Sequence, residues 1–289
     1  MLITDPKNIN FKHCKRLFTI GCSFTHWIWP TWADIIAKEH DIEHFNFGMP
    51  GQGNDYVLQM LSQVTREYAL KDTDVVLIMF STFHRNTFYN YYGAQFKDYL
   101  RAGNSKKVEE DRSAYNWVSG SDLVAQIALD DKTTNCDRGW LIRNYAIIDS
   151  ITTIMQNSVY KGGYMLSVDP KEQHIFDTTA TETYTDDVHG LYHPLRRSQL
   201  GKPLYTFLDH KLNDHVWKSV SKNMEKADYH PYPSNYLAYL KSIGFDISES
   251  TEKWVAFSER IINETENPYT LDQSKEWPFS YYPKRRLPL

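Results

Sequence analysis

A serine at the end of a short apolar run is the first group in the sequence suited to acyl-transfer chemistry. Residues 17 to 20 (LFTI) are apolar, and Gly21, Cys22 and Ser23 follow directly. If the run is a parallel strand, Ser23 lies at its carboxyl end, where open α/β sheets bind their ligands. Backbone N–H groups at the start of the following helix are then available to stabilise an oxyanion. The alternative is that Ser23 only caps that helix.

A glycine-rich turn is the second such element. Residues 46 to 55 (NFGMPGQGND) follow the segment that we predict as the second strand. Glycine lets the backbone approach a substrate oxygen closely and direct an N–H group at it. A dinucleotide-binding turn is excluded because Tyr56 stands where that motif needs its third glycine. The alternative is a tight turn without a catalytic role.

A histidine close to a carboxylate is the third element. Asp228, Tyr229, His230 and Pro231 precede the last helix that the sequence pattern predicts. Histidine acts as a general base when another group fixes its tautomer, and a nearby carboxylate commonly does so. Asp228 is a candidate for that group. Because the chain holds 11 histidines, such a neighbour is also expected by chance.

In this order, the three elements resemble the SGNH hydrolase superfamily, also called the GDSL-type esterases and lipases. The resemblance implies that Ser23 in GCSFT is the nucleophile, with Cys22 in place of the motif's aspartate. It implies that His230 is the catalytic base and that Asp228 orients it. It also implies that the backbone N–H groups of Ser23 and Gly51 form an oxyanion hole.

The resemblance covers the core segments, about half of the chain. GCSFT with the tryptophan-rich HWIWPTW behind it, and the GQGND turn, are similar to a subgroup common in bacterial and phage genomes. The remaining segments are not explained by the resemblance.

The sequence departs from the family pattern after the third predicted strand. The family has an asparagine there, whereas residues 80 to 85 are FSTFHR. One oxyanion donor is therefore missing, or Thr82, Arg85 or Asn54 supplies it. Losing one donor typically lowers turnover by about a hundredfold to a thousandfold, so the resemblance is compatible with a slow enzyme.

The acid also departs from the family spacing. The family's aspartate stands three residues before its histidine, whereas Asp228 stands two before His230. Asp186 and His189 have the usual spacing, but no helix pattern follows them closely. We favour His230 as the base and keep His189 as the alternative.

The order of predicted elements indicates an α/β fold. Apolar periodicity gives strand, helix, strand, helix and strand in the first half of the chain, which favours a parallel sheet with right-handed crossovers. We expect a flavodoxin-like three-layer sandwich with a mostly parallel central sheet. The predicted strands lie at 17–20, 44–49, 72–81 and 164–169, and the predicted helices at 32–40, 55–70, 139–160 and 233–244.

We predict one domain at residues 1 to 245, with polar, weakly periodic insertions at about 85 to 138 and 170 to 225. Residues 246 to 289 are predicted as a C-terminal extension. Its last part is rich in proline and aromatic residues and carries the basic cluster Lys284, Arg285 and Arg286. We expect this tail to dock on the parent domain, on another copy of the chain or on a virion partner.

Composition restricts the function classes. The formal net charge of −4 gives no broad basic field, so nucleic acid is not an expected partner. The cysteines Cys14, Cys22 and Cys136 are odd in number and widely spaced, which predicts neither a disulfide framework nor a zinc site. No export signal or membrane-spanning run is evident, so we expect a cytoplasmic or virion-associated protein, without a membrane partner or a cofactor.

Three functions remain open. The first is a serine ester hydrolase acting on a small ester or, given the 15% aromatic content, an O-acetylated carbohydrate. The second is a catalytically weak or inactive SGNH-fold structural or binding component of a phage virion or surface assembly. The third, least favoured because no tight ligand spacing is present, is a metal-dependent hydrolase using His174, His189, His193, His210 and His215 with Asp186, Asp187, Asp209 and Asp214.

Overall fold

The centre of the molecule is a four-stranded parallel sheet. The computed structural model describes residues 1–83, 87–89, 117–119, 137–169, 197–208 and 230–265. The strands in this part of the chain are β1 (Arg16–Gly21), β2 (Glu43–Gly48), β3 (Asp74–Phe80), β4 (Thr87–Tyr89), β5 (Trp117–Ser119) and β6 (Lys161–Leu166). The order in the central sheet is β2-β1-β3-β6, and each neighbouring pair is parallel. This is the order of flavodoxin-like doubly wound folds.

Helices cover both faces of the sheet. They are α1 (Trp32–His40), α2 (Asn54–Glu67), α3 (Asp137–Gln156), α4 (Leu204–Phe207), α5 (Pro233–Ser242) and α6 (Glu249–Glu264). One face packs against α1, α5 and α6, and the other against α2 and α3. The predicted α/β class and three-layer arrangement are confirmed.

The double covering explains the apolar character of β3. Its side chains alternate between the two hydrophobic clusters, and every residue of the strand is buried. A strand buried on both sides carries no polar alternation, which is why 72–81 was identifiable as a central strand from the sequence alone.

Two elements differ from the sequence prediction. The last strand begins at Lys161 rather than at 164, because Gly162 and Gly163 pair with β3 although they carry no apolar signal. A Cβ on Gly162 would lie 2.7 Å from Met155 Cγ, so the missing side chain lets α3 pack closely on the strand. The helix α6 was not predicted; it is capped by Ser248 and buries Val255 and Ile262.

The predicted insertions lie mostly outside the described residues. Within them, β4 and β5 form a small antiparallel pair. Residues 266 to 289, including the basic cluster, are also outside the described ranges, so the tail and the domain limits stay predictions. Among the helices that the structure describes, none combines the length and apolar character needed to cross a membrane.

Candidate active site

Ser23 lies at the topological switch point of the sheet. The chain leaves β1 towards β2 on one side, while β3 occupies the other side. In folds of this strand order the crevice at the β1 and β3 carboxyl ends binds ligands. Ser23 follows the end of β1 by two residues and is only 3% exposed. The sequence prediction of its place in the fold is therefore confirmed by the strand order.

The chain turns sharply at Ser23. The N–H groups of Thr25 and His26 both donate to the Cys22 carbonyl, at 2.9 and 3.3 Å. Gly21 allows this turn to lie close to the sheet, since a Cβ there would be 2.1 Å from Thr25 Oγ1 and 2.7 Å from the Met79 carbonyl oxygen. A larger residue at position 21 would displace the turn that carries the serine.

Ser23 does not cap the following helix. α1 begins at Trp32, and Thr31 is its N-cap. The Thr31 N–H donates to Asp34 Oδ2 at 2.9 Å, and the Asp34 N–H donates to the Thr31 side chain, so the two residues form a capping box. The capping alternative for Ser23 is wrong, and so is the expectation that the helix start supplies N–H groups beside it. We predicted a helix directly after Ser23, whereas the helix begins nine residues after it.

The Ser23 side chain and backbone are both unpaired. Within the described part of the chain, neither its hydroxyl nor its N–H forms a hydrogen bond. In particular, the Ser23 hydroxyl is not hydrogen-bonded to His230. The N–H of Gly51 likewise donates to no described residue. Gly51 has a φ of 80°, a left-handed conformation that favours glycine.

The glycine-rich turn is bound to the serine turn. The Met49 N–H donates to the Gly21 carbonyl at 3.0 Å. Gly48 lies so close to His26 that an added Cβ would be 2.6 Å from His26 Cβ. The two predicted site segments, GCSFT and NFGMPGQGN, therefore meet at one edge of the sheet.

A buried polar layer, formed by Thr19, Thr25, Thr31, His44 and Asn46, supports the serine turn from below. The Thr25 carbonyl accepts from Asn46 Nδ2 at 2.9 Å and from Thr31 Oγ1 at 2.8 Å. His44 Nε2 and Thr19 Oγ1 are 2.9 Å apart. None of these contacts was predicted from the sequence; the alternation of polar and apolar residues in β2 was their only signal.

Burial shifts the pKa values of two groups near this layer. It lowers the pKa of His44 to about 3, so the ring is neutral. It raises the pKa of Asp34 to about 6, against the hydrogen bonds from Thr31 that favour the carboxylate.

His230 is carried to the same region by aromatic packing. Its ring stacks on Trp27, with centroids 3.5 Å apart and an interplanar angle of 18°, and lies 5.5 Å from the Phe24 ring. Trp29 Nε1 donates to the Pro231 carbonyl at 2.9 Å. The segment after His230 is thus attached to the turn after Ser23, although 202 residues separate Trp29 from Pro231.

The predicted oxyanion side chains have different environments. Asn54 is fully buried, and its amide bonds Asn144 Oδ1 at 2.6 Å and the Ser81 carbonyl at 3.3 Å, while its oxygen accepts from the Ser81 N–H at 2.8 Å. Thr82 follows β3 and is half-buried. A catalytic role for Asn54 stays a prediction that these hydrogen bonds disfavour.

Several predicted residues lie outside the described part of the chain. They are Arg85, Asp228, the alternative base His189, Cys136 and every histidine and aspartate of the predicted metal site. In the ranges that are described, no group of three or more metal-ligating side chains is present. Cys14 and Cys22 are buried free thiols.

A comparison with protein families finds no match, and neither does a comparison with curated proteins. Solved structures similar to this chain include a member of the lipolytic protein G-D-S-L family from Veillonella parvula DSM 2008. Its identity is 12% and its TM-score 0.37, with coverage of 79% of this chain and 96% of that chain.

Two further solved structures are similar. One is an alpha/beta hydrolase enzyme from the metagenome of Lake Arreo, Spain, at 14% identity and TM-score 0.38, covering 80% of this chain and 95% of that chain. The other is a catalytic mutant of an acetylxylan esterase from Geobacillus stearothermophilus, at 13% identity and TM-score 0.31, covering 86% and 100%. The strand order and layers described above define the fold independently of these similarities.

Proposed function

We propose that this protein is a serine-dependent ester hydrolase with Ser23 as nucleophile and His230 as base. The observation that carries the proposal is the position of Ser23 at the switch point of the sheet, where the residue is only 3% exposed and its hydroxyl is bonded to no described residue. A hydroxyl that is not engaged in a structural hydrogen bond is available to act as a nucleophile.

The reaction proceeds through an acyl-enzyme. His230 takes the Ser23 proton as the serine oxygen attacks the ester carbonyl, and the N–H groups of Ser23 and Gly51 donate to the oxyanion. The protonated histidine then gives its proton to the leaving alcohol. Water, deprotonated by the same histidine, hydrolyses the acyl-enzyme and restores both residues.

This mechanism requires His230 to approach Ser23 in the substrate complex. In free enzymes catalytic hydrogen bonds are often long and shorten when substrate binds. Asp228, two residues before His230, is the proposed orienting acid. Thr82 and Arg85 are the proposed side-chain donors in place of the missing asparagine.

The proposed substrate is an acetylated carbohydrate. Trp27, which stacks on His230, and Tyr232, which stacks on Trp29, are half-buried aromatic residues, and flat amphipathic rings suit sugar binding. The test is acetate release from acetylated glycans and from 4-nitrophenyl acetate, comparing the parent with Ser23→Ala. A fluorophosphonate probe should add its mass to Ser23. Equal rates in parent and variant, or labelling elsewhere, would reject the proposal.

A weakly catalytic or structural role is the second candidate. It is favoured by the absence of a hydrogen bond between the Ser23 hydroxyl and His230, the pair that catalysis requires. Removing the chain after Asn267 separates the two functions. An assembly component should lose its partner or oligomeric state, whereas an esterase should keep its activity.

A further inference from the structure

Gln52 is an unusual residue of the glycine-rich turn. Its side chain is 3% exposed, and its Oε1 is fully buried without a hydrogen-bond partner. Its amide nitrogen also donates to no residue that the structure describes. A carboxamide has one acceptor oxygen and two N–H donors, and enclosing its oxygen without a hydrogen bond destabilises the fold. A leucine or methionine would fill the same space without that penalty.

The other buried carboxamides at this edge of the sheet are bonded. Asn46 donates to the Thr25 carbonyl and accepts from the Gly48 N–H. Asn54 and Asn144 are bonded to each other and to the backbone after β3. These three amides connect loops. The Gln52 side chain forms no such connection with any described residue, so hydrogen bonding within the fold does not explain why a glutamine is buried here.

The backbone of Gln52 is held close to the serine turn. Its N–H donates to the Met49 carbonyl at 3.3 Å, and the Met49 N–H donates to the Gly21 carbonyl, two residues before Ser23. Gln52 also directly follows Gly51, the proposed oxyanion donor. The residue is therefore fixed within the region where an ester would bind.

The structure assigns Gln52 to substrate recognition: its carboxamide binds a hydroxyl group on the alcohol portion of the ester. A neutral group that both donates and accepts is matched by a sugar or polyol hydroxyl, which also does both. A hydrocarbon chain would leave the amide unbonded, so the site rejects simple alkyl esters. This inference rests on the proposed esterase function and specifies its substrate class.

The test compares Gln52→Leu with the parent on two acetate esters, a monoacetylated methyl glycoside and 4-nitrophenyl acetate. We expect the ratio of kcat/KM for the glycoside to that for the nitrophenyl ester to fall by tenfold or more, mainly through KM. We also expect Tm to rise by a few degrees, because an unbonded polar group is removed. A structural role would lower Tm instead.

Gln63→Leu is the matched control, because Gln63 is a half-buried glutamine on α2 whose Nε2 donates to Glu67 Oε1 at 3.1 Å. It should change neither the ratio nor Tm substantially. An unchanged ratio in Gln52→Leu, or a fall in Tm, would overturn the inference.

Binding to Ser23→Ala distinguishes this inference from the proposed function. Affinity of the acetylated glycoside for Ser23→Ala, measured by calorimetry, should fall tenfold or more when Gln52→Leu is added. Glycoside binding that depends on Gln52, without Ser23-dependent hydrolysis in the parent, would reject the esterase and retain the recognition role. Binding that is indifferent to Gln52 would reject the recognition role alone.

Discussion

The two ends of the central sheet satisfy their polar groups to different degrees. At the amino end, Arg16 Nε and Nη2 donate to the two carboxylate oxygens of Asp74 at 2.9 and 2.6 Å. The Lys71 N–H donates to the same carboxylate at 2.6 Å. At the carboxyl end, Gln52 Oε1 and Ser81 Oγ are fully buried without a hydrogen-bond partner among the described residues, and the Ser23 hydroxyl forms no hydrogen bond with them.

This difference in hydrogen bonding indicates that the amino end of the sheet contributes to stability and that the carboxyl end binds the ligand. Charged groups that are fully bonded at the amino end hold the strands together, and no ligand is needed to complete them. Unbonded hydroxyl and amide groups at the carboxyl end destabilise the free protein. Open α/β sheets bind their ligands at that end, so the unbonded Gln52 Oε1 and Ser81 Oγ lie where a ligand is expected, whereas, within the described ranges, His44 Nδ1 and Tyr160 Oη are unbonded buried atoms at the amino end.

Ser23→Ala should give the largest effect. We expect kcat to fall by about a thousandfold or more, since the nucleophile is lost. The free energy of unfolding in urea should change by less than about 1 kcal/mol, because the removed hydroxyl forms no hydrogen bond with the described residues.

Ser258→Ala is the control for that variant. Ser258 is also buried, but its hydroxyl donates to the Trp254 carbonyl at 2.8 Å. This variant should lose up to about 1 kcal/mol of stability and keep its activity. If Ser23→Ala were the more destabilised of the two, the contrast between the sheet ends would fail.

Asp74→Ala tests the amino end. Asp74 is 1% exposed, so its removal leaves the Arg16 charge half-desolvated and frees the Lys71 N–H. We expect a loss of about 3 kcal/mol in the free energy of unfolding, with kcat/KM at 25 °C close to that of the parent.

The ion pair between Arg143 and Asp55, at 2.7 Å, offers a comparison for Asp74, because its side chains are 47% and 15% exposed and it lies nearer the surface. Arg143→Ala should cost under about 1 kcal/mol, because surface ion pairs contribute little. Equal destabilisation by the two substitutions would show that burial does not set the strength of the amino-end pair.

The pH dependence of stability tests the polar layer between the two ends. The folded pKa of His44 is about 3, below its ordinary 6.5, so the stability from the neutral ring is complete above pH 6.5 and falls as the pH drops towards 3. The folded pKa of Asp34 is about 6, above its ordinary 3.8, so this carboxyl contributes the opposite change between pH 6 and 3.8. Each contribution amounts to about 1.4 kcal/mol per pH unit.

The two contributions oppose each other between about pH 6 and pH 4, and single variants should expose each one. Relative to the parent, His44→Asn should gain stability as the pH falls through this window, and Asp34→Asn should lose it. Urea unfolding at several pH values measures both slopes. Parallel slopes in the parent and both variants would mean that neither group titrates as its burial implies.

The sequence predicted the central fold well because the information there is local. Apolar runs and amphipathic helices follow directly from burial on both faces of the sheet, and they identified β1, β2, β3 and most of α3. It failed at Gly162 and Gly163, whose contribution is the absence of a side chain. It also failed at α6, whose buried stripe contains Thr251 and Ser258 among its apolar positions.

The candidate site was predictable only in part. The positions of Ser23 and Gly51 follow from strand order, because parallel strands end at a common edge. The buried polar layer and the free amide of Gln52 depend on contacts between distant segments, which no local pattern encodes. The stacking of His230 on Trp27 belongs to the same class, although the tryptophan-rich stretch was evident.

At the carboxyl end of the sheet, substitution of Trp27 should give the smallest loss of activity, and it tests directly whether an aromatic side chain positions His230 there. Its ring stacks on His230 at 3.5 Å, so we infer that it limits the positions that the imidazole can adopt. Trp27→Ala should lower kcat/KM by about tenfold, through kcat rather than KM, because loosening a base misplaces it for proton transfer. Trp27→Phe keeps an aromatic face and should recover most of that loss. Since Trp27 is half-buried at the edge of the site, the free energy of unfolding should change by less than in Asp74→Ala. If both substitutions reduced kcat equally, the aromatic face would not be what positions His230. The backbone turns alone would then determine the geometry of the carboxyl end.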